Sequence, residues 1–121
     1  MAKKVLVCDD DENILLAVSH IVEKEGYEVV KARDGNESIK IALAEKPRLI
    51  ILDLMMPEKT GYEVCEELRK DPTTKDTYII LLTARGKPLS EHTGMVKGAN
   101  EFMVKPFDPR ELREKIQKIL A

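Results

Sequence analysis

Acidic residues in this chain are grouped where strand-like apolar runs stop. Val5-Leu6-Val7-Cys8 is followed at once by Asp9, Asp10 and Asp11, and Leu49-Ile50-Ile51-Leu52 is followed by Asp53. Two later runs end on different chemistry. Tyr78 to Leu82 gives way to Thr83, and Glu101 to Val104 gives way to Lys105 and Pro106. Clustered carboxylates repel, which raises their pKa values or demands a cation. Oxygen donors of this kind favour a hard ion such as Mg²⁺ over zinc. A cation, a hydroxyl and a lysine around one carboxylate are the parts that phosphoryl transfer uses. The cation and the ammonium neutralise equatorial oxygens, the hydroxyl donates a hydrogen bond, and the carboxylate attacks phosphorus. Any one of these residues alone would be an ordinary cap or turn former, and Asp11 reads as the cap of the first helix rather than as a ligand. Agreement of four run ends is what makes them a candidate site.

Such residues meet only if the runs lie side by side and point the same way. The intervening segments predict that arrangement. Val5–Cys8 reads as a strand, then Glu12–Glu25 as a helix ended by Gly26. Glu28–Ala32 is a second strand, Asn36–Glu45 a second helix stopped before Pro47, and Leu49–Leu52 a third strand, apolar throughout as a strand covered on both faces should be. Gly61–Lys70 is helical and stops before Pro72, and Tyr78–Leu82 is a fourth strand. A shorter helix is expected around Ser90–Lys97 and a fifth strand over Glu101–Val104. Asp108 then caps a last helix, with Pro109 at its first position and Glu111 at its third. Five βα units in a row imply a parallel sheet with helices on both faces and right-handed crossovers. Chemistry in such folds gathers at the carboxyl ends of the strands.

Composition narrows the function classes. The 121 residues make one domain, and 43% apolar with 35% charged residues is ordinary for a globular protein. A formal net charge of -2 gives neither a basic footprint for nucleic acid nor a polybasic stretch for an anionic membrane. No apolar run is long enough to span a bilayer, and Met1-Ala2-Lys3-Lys4 leads directly into a strand with no signal-peptide pattern, so a cytoplasmic location is expected. Cys8 and Cys65 make no disulfide framework and read as small core residues.

Taken together, Val5-Leu6-Val7-Cys8-Asp9-Asp10-Asp11, Leu52-Asp53-Leu54-Met55-Met56-Pro57, Gly61, Leu82-Thr83-Ala84 and Lys105-Pro106-Phe107 resemble the receiver domain of response regulators, the CheY-like family of two-component signalling, over essentially the whole of residues 1–121. The resemblance implies a flavodoxin-like sheet in the order 2-1-3-4-5 with five helices. It also implies that Asp53 is the phosphoacceptor and that Asp9, Asp10, Asp53 and the backbone carbonyl of Met55 hold Mg²⁺. Thr83 and Lys105 would then bond the phosphoryl oxygens, the Lys105–Pro106 peptide would be cis, and Phe102 would be the switch aromatic that moves with Thr83. By spacing alone, Phe102 reads as a strand-end core residue.

The implied donor is a phosphohistidine on a sensor histidine kinase or phosphotransfer protein. Phosphorylation would shift the surface of the fourth helix, fifth strand and fifth helix toward an unnamed downstream effector. Such a chain is a switch that catalyses only its own phosphorylation and dephosphorylation. His20 and His92 read as solvated side chains, not as donors. Met55 and Arg85 sit two residues beyond Asp53 and Thr83, at positions that tune phosphoryl lifetime in this family. Met55 offers no group to position water, so slow self-dephosphorylation is expected.

Between residues 14 and 22 only Ser19 and His20 are polar, which is more apolar surface than one core stripe needs. The excess, drawn from Ile14, Leu16, Ala17 and Ile21, suggests a kinase docking face, to which the resemblance adds Pro106 and Phe107. Arg110, Glu111, Arg113, Glu114 and Lys115 on the last helix point to no fixed role by themselves, since a charge run is usually a solvated face. In receivers of winged-helix transcription factors comparable charges pair across a phosphorylation-dependent homodimer. Here Asn100-Glu101 replaces the acidic pair usual there.

Two other functions fit part of the pattern. A haloacid-dehalogenase-type phosphatase would use Asp9 as nucleophile, with Thr83 and Lys105 in the order that family uses, but the threonine expected just after its Asp-x-Asp motif is missing. A flavodoxin-like cofactor binder would need phosphate-binding donors where three aspartates stand. The sequence shows no output domain after the last helix. It reads as a stand-alone regulator or as the amino-terminal piece of a longer protein.

Overall fold

The apolar run Leu49–Leu52 has no polar side, and in the computed structural model of the protein, which describes residues 3–84 and 98–120, it lies at the centre of a sheet. The elements are β1 (Lys4–Cys8), α1 (Glu12–Lys24), β2 (Glu28–Ala32), α2 (Gly35–Glu45), β3 (Leu49–Asp53), α3 (Gly61–Lys70), β4 (Tyr78–Ala84), β5 (Glu101–Lys105) and α4 (Pro109–Leu120). The strands are parallel and run in the order β2-β1-β3-β4-β5. This is the expected order. The helix expected at Ser90–Lys97, with Arg85 and His92, lies outside the described residues, so α4 is the helix anticipated as the fifth.

Side chains alternate between the two faces of the sheet, which divides the core in two. Val7, Ile51, Leu82 and Met103 pack with Leu15 and Val18 of α1 and with Leu112 and Ile116 of α4. Leu6, Ile50, Leu52 and Leu81 pack on the other face with Ala42 of α2 and with Val64 and Leu68 of α3. At roughly 25 cal/mol per Å² of apolar surface removed from water, this two-sided burial is the main force holding the strands in register.

Helix starts follow local chemistry. Asp11 caps α1 by accepting from Asn13 and Ile14, and Asp34 caps α2 by accepting from Glu37. Thr60 and Glu63 make a reciprocal capping box on α3. Asp108 accepts the N–H of Arg110 at the start of α4. Gly26, at φ +90, follows the end of α1 in the left-handed region where glycine is favoured. Three strands extend past their apolar runs. β4 reaches Ala84, two residues beyond the expected end at Leu82, because its ladder with β5 runs on past its ladder with β3 and carries Thr83 opposite Val104 and Ala84 opposite Lys105.

Candidate functional site

The register brings the run ends together. Cys8 pairs with Leu52, so Asp9 emerges beside Asp53, and Asp53 itself pairs with Leu82 next to Thr83. Lys105 closes β5 one strand further on. Its Nζ donates to Asp9 Oδ2 at 3.0 Å and to Asp53 Oδ1 at 3.1 Å, bridging two carboxylates that are 1% and 6% exposed. Asp9 Oδ1 accepts the N–H of Asp11 at 2.9 Å. The Lys105–Pro106 peptide is cis, as expected.

Alternation also sorts the site residues by face. Asp9, Asp53 and Lys105 continue the rows of Val7, Ile51 and Met103 on the α1–α4 side. Thr83 continues the row of Ile79 and Leu81 on the opposite side, where half-buried Phe102 packs against the same cluster. Thr83 pairs with Val104, two residues beyond Phe102, so the hydroxyl and the aromatic ring belong to neighbouring strands on one face. Thr83 Oγ1 is buried and, among the described residues, has no hydrogen-bond partner. A buried orphan hydroxyl costs about 1–3 kcal/mol. Ser19 Oγ on α1 is in the same state, so it is the place of Thr83 at the strand ends, next to the partner of Asp53, that makes it a site candidate.

Electrostatics set Asp53 apart. Burial and the neighbouring Asp9 charge push its carboxyl above the ordinary aspartate value, against the opposing pull of Lys105 and the backbone N–H of Met55. Burial acts to lower the Lys105 pKa, but its bonds to Asp9 and Asp53 and their charges win and raise it, so the ammonium stays charged. Carboxylate oxygens of Asp9, Asp10 and Asp53 lie within 4.8 Å of one another. Three carboxylates against the Lys105 ammonium leave excess negative charge, and the donors are all oxygen. That set fits a hard divalent cation.

The loop after Asp53 is held from several directions. Leu54 N–H donates to Leu82 O at 2.9 Å, and Gly61 N–H donates to Leu54 O at 2.8 Å. A Cβ on Gly61 would stand 2.9 Å from the Asp53 carbonyl oxygen and 2.8 Å from Leu81 Cδ2, so α3 starts pressed against the end of β3 where only glycine fits. Met55, two residues past Asp53, is 58% exposed.

The other predicted residues fall as follows. Ile14 and Ile21 are half-buried against the core together with Phe107, Leu16 is 51% exposed, and Ala17 and Pro106 are placed differently: Ala17 is exposed on α1, and Pro106 is exposed just after β5. The apolar face of α1 is therefore real but narrower than the composition suggested. His20 is exposed, and Asp11 is a cap. Cys8 and Cys65 are buried with thiols pushed up to about 12 by burial, which makes them inert core residues. Of the α4 charges, Arg110, Glu111, Arg113 and Glu114 are exposed, but Lys115 is half-buried and paired with Glu101, which also accepts from the Tyr78 hydroxyl. The run is only partly a solvated face.

Sequence reasoning passed over Gly35 and Arg69. Gly35 is buried at the start of α2 against Lys59, and Arg69 donates to the carbonyls of Thr74, Lys75, Thr77 and Gly98 and to Asn100 Oδ1. Asp34-Gly35 before a helix was the available signal for the first. None marked the second.

No helix among the described residues is long and apolar enough to cross a membrane. Residues 5–117 match the family profile of the response regulator receiver domain. The alkaline phosphatase synthesis transcriptional regulatory protein PhoP of Bacillus subtilis is 42% identical over 99% of this chain and 49% of its own length. The chain thus spans about half the length of that curated relative. It covers nearly all of two solved structures: chemotaxis response regulator CheY4 of Vibrio cholerae (36% identity, 98% of this chain and 99% of that one, TM-score 0.91) and a CheY-like receiver domain protein of Methanospirillum hungatei (31% identity, 99% and 94%, TM-score 0.91). On this profile, this identity and this strand order, the chain belongs to the response regulator receiver domain family of two-component signalling, whose function is to accept a phosphoryl group.

Proposed function

We propose that residues 1–121 act as one receiver domain that takes a phosphoryl group from a kinase or phosphotransfer phosphohistidine onto Asp53. The observation that carries this reading is the Lys105 ammonium bridging Asp9 and Asp53, with the unpartnered hydroxyl of Thr83 one residue beyond Leu82, the partner of Asp53 on β4. In the step itself an Asp53 carboxylate oxygen attacks phosphorus in line. The new O–P bond forms as the P–N bond to imidazole breaks, and the departing imidazole takes up a proton from solvent. Asp53 is preferred to Asp9 as nucleophile because it ends the central strand β3, between Asp9 after β1 and Thr83 on β4, so that groups from both neighbouring strands can attend the phosphoryl group it receives.

Lys105 is placed to follow the developing charge, because its ammonium already touches one oxygen of the attacking carboxylate. Asp9, Asp10, Asp53 and the carbonyl of Met55 would hold Mg²⁺, which when bound neutralises charge on the transferring group. Thr83 Oγ1 gains in the aspartyl phosphate the partner it lacks, and Phe102 on the same face follows it. The population then shifts on the surface of β5, α4 and the segment before β5. We assign no other reaction to the chain, and place it in the cytoplasm.

Kinase docking falls to Ile14, Ala17, Ile21, Pro106 and Phe107, of which Ile14 lies in the first turn of α1 and Pro106 and Phe107 just beyond β5, next to the site, while Ala17 and Ile21 follow along α1. A phosphorylation-dependent homodimer would draw its charge pairs from Arg110, Glu111, Arg113 and Glu114, since Glu101 and Lys115 are already paired within the chain. The deciding experiment is intact mass after incubation with acetyl phosphate, with and without Mg²⁺. One phosphoryl group is expected, only with Mg²⁺, and none on Asp53→Ala. A gain that survives Asp53→Ala but vanishes in Asp9→Ala would hand the chemistry to Asp9 and overturn the reading.

A further inference from the structure

Gly35 lies outside the acidic cluster, yet the space of its missing side chain is occupied by the loop that leaves Asp53. A Cβ built there would stand 2.5 Å from Lys59 O and 2.6 Å from Lys59 Cβ. Those atoms belong to the backbone and its first side-chain carbon, which cannot swing aside as the end of a long side chain could. Gly35 N–H also donates to Pro57 O at 3.3 Å. The loop therefore rests on the first residue of α2 by close contact and by a hydrogen bond.

The platform under it is rigid. Asp34 accepts the N–H of Glu37 at 2.8 Å, Glu37 Oε1 accepts the N–H of Arg33 at 2.6 Å, and Ser38 Oγ donates to Asp34 O at 2.8 Å. The loop is fixed at both ends as well, by Leu54 on β4 and by the capping box of Thr60 and Glu63. Between those ends Glu58 has φ 72 and Lys59 N–H donates to Pro57 O at 2.8 Å. The middle of the loop has its seat at Gly35. What the loop carries matters: it holds Met55, two residues after Asp53, whose carbonyl is one of the cation ligands proposed above.

We infer that Gly35 is a positioning residue for the phosphorylation site, seating the 54–60 loop so that the Met55 carbonyl stays where a cation held by Asp9, Asp10 and Asp53 would meet it. The inference rests on the function proposed above, and deepens it by adding a residue on a different helix. Displacing the loop by the fraction of an ångström a methyl group demands would misplace the Met55 carbonyl while leaving both core clusters in place. Outer groups that orient metal ligands typically control affinity by about 10- to 100-fold, so the effect should be measurable.

The test uses the full chain. Mg²⁺ affinity is measured by titration calorimetry, and thermal midpoint alongside it, on wild type, Gly35→Ala, Gly35→Ala with Lys59→Gly, and Ile116→Val as a core control far from the loop. Gly35→Ala should weaken Mg²⁺ binding by roughly 10-fold. Adding Lys59→Gly, which removes the atom 2.6 Å away, should restore part of that loss. Ile116→Val should lower the midpoint and leave Mg²⁺ affinity alone. Gly35→Ala that binds Mg²⁺ like the wild type, whatever its midpoint, would overturn the inference and leave the function standing. If Gly35→Ala does not fold, Lys59→Gly alone is read instead: it removes the Cβ that rests over Gly35, should weaken Mg²⁺ binding, and wild-type affinity in it would overturn the seat. A wild type that binds no Mg²⁺ would remove the proposed function and this inference together.

Discussion

The two ends of the sheet handle polar groups in opposite ways. At the amino ends of β4 and β5 every named group is answered. Glu101 accepts from Lys115 and Tyr78, Asn100 Oδ1 accepts from Ile79 N–H and Arg69, and Arg69 turns its remaining donors to carbonyls of the α3–β4 loop and to Gly98. At the carboxyl ends the polar groups are left wanting. Asp9 and Asp53 share one ammonium, and Thr83 has a hydroxyl with no partner among the described residues. Satisfied networks rigidify, and unsatisfied ones wait for a ligand. The same strands thus carry a locked end and a responsive end, about five residues apart along β5.

The sharpest way to break this contrast is to remove the cation of the open end. Lys105→Met takes away the donor placed against the reacting carboxylate. Loss of one such preorganised group costs about 100- to 1,000-fold in rate. Phosphorylation by acetyl phosphate, followed by mass against time, should fall by that factor. Mg²⁺ binding should persist, because Asp9, Asp10 and Asp53 remain. A variant phosphorylated at the wild-type rate would show that Lys105 is only a structural counter-ion.

The locked end should respond in the opposite sense. Arg69→Met leaves several carbonyls and Asn100 without their donor, for about 2–4 kcal/mol of stability lost in urea denaturation. Sites this far apart with no shared partners are nearly independent, so phosphorylation at saturating Mg²⁺ should stay within about twofold of wild type. A large rate loss with little destabilisation would mean the two ends are coupled rather than divided.

These contrasts explain what could be read from sequence. The strands were legible because Val5–Cys8, Leu49–Leu52 and Ile79–Leu82 are buried on both faces and so are apolar at every position. The site was legible because the ends of those runs break pattern abruptly, from Leu52 to Asp53 and from Leu82 to Thr83. Arg69 and Gly35 were not, because their roles depend on which loops meet. An arginine late in an amphipathic helix looks like a solvated charge, and an Asp-Gly before a helix looks like a turn. Lys115 was hidden in the same way, its partner Glu101 being fourteen residues earlier on a strand. Single-strand periodicity carries no information about such cross-element contacts.

Phosphoryl lifetime gives a smaller and different test of the open end. Met55 is exposed beside Asp53 and has no group to orient an attacking water. Met55→Asn supplies one. The phosphorylated variant should lose its phosphoryl group several-fold faster than wild type when the decay of the phosphorylated mass is followed after removal of acetyl phosphate. Equal or slower decay in the variant would show that the β3–α3 loop does not control water access.

The smallest effect expected is a pH signature at the locked end. Burial opposes ionisation of Glu101, but the bonds from Lys115 and Tyr78 outweigh it and hold its carboxyl below the ordinary value of 4.5. A depressed folded value means that the charged pair stabilises the fold above the unfolded value and that this contribution fades as pH falls through the folded one. The stability difference between wild type and Glu101→Gln should therefore be flat from pH 7 to about 5 and shrink below about 4.5. For a partly exposed pair it should not exceed about 1 kcal/mol. Tyr78 makes the mirror image: burial and Glu101 push its hydroxyl up to about 12, so its contribution holds below its ordinary value of 10 and is lost above it. Urea midpoints at both extremes, on wild type and Glu101→Gln, would read both arms. A difference that stays constant across the acid window would mean that Glu101 is held by shape and not by charge, and that this end of the sheet is locked by packing alone.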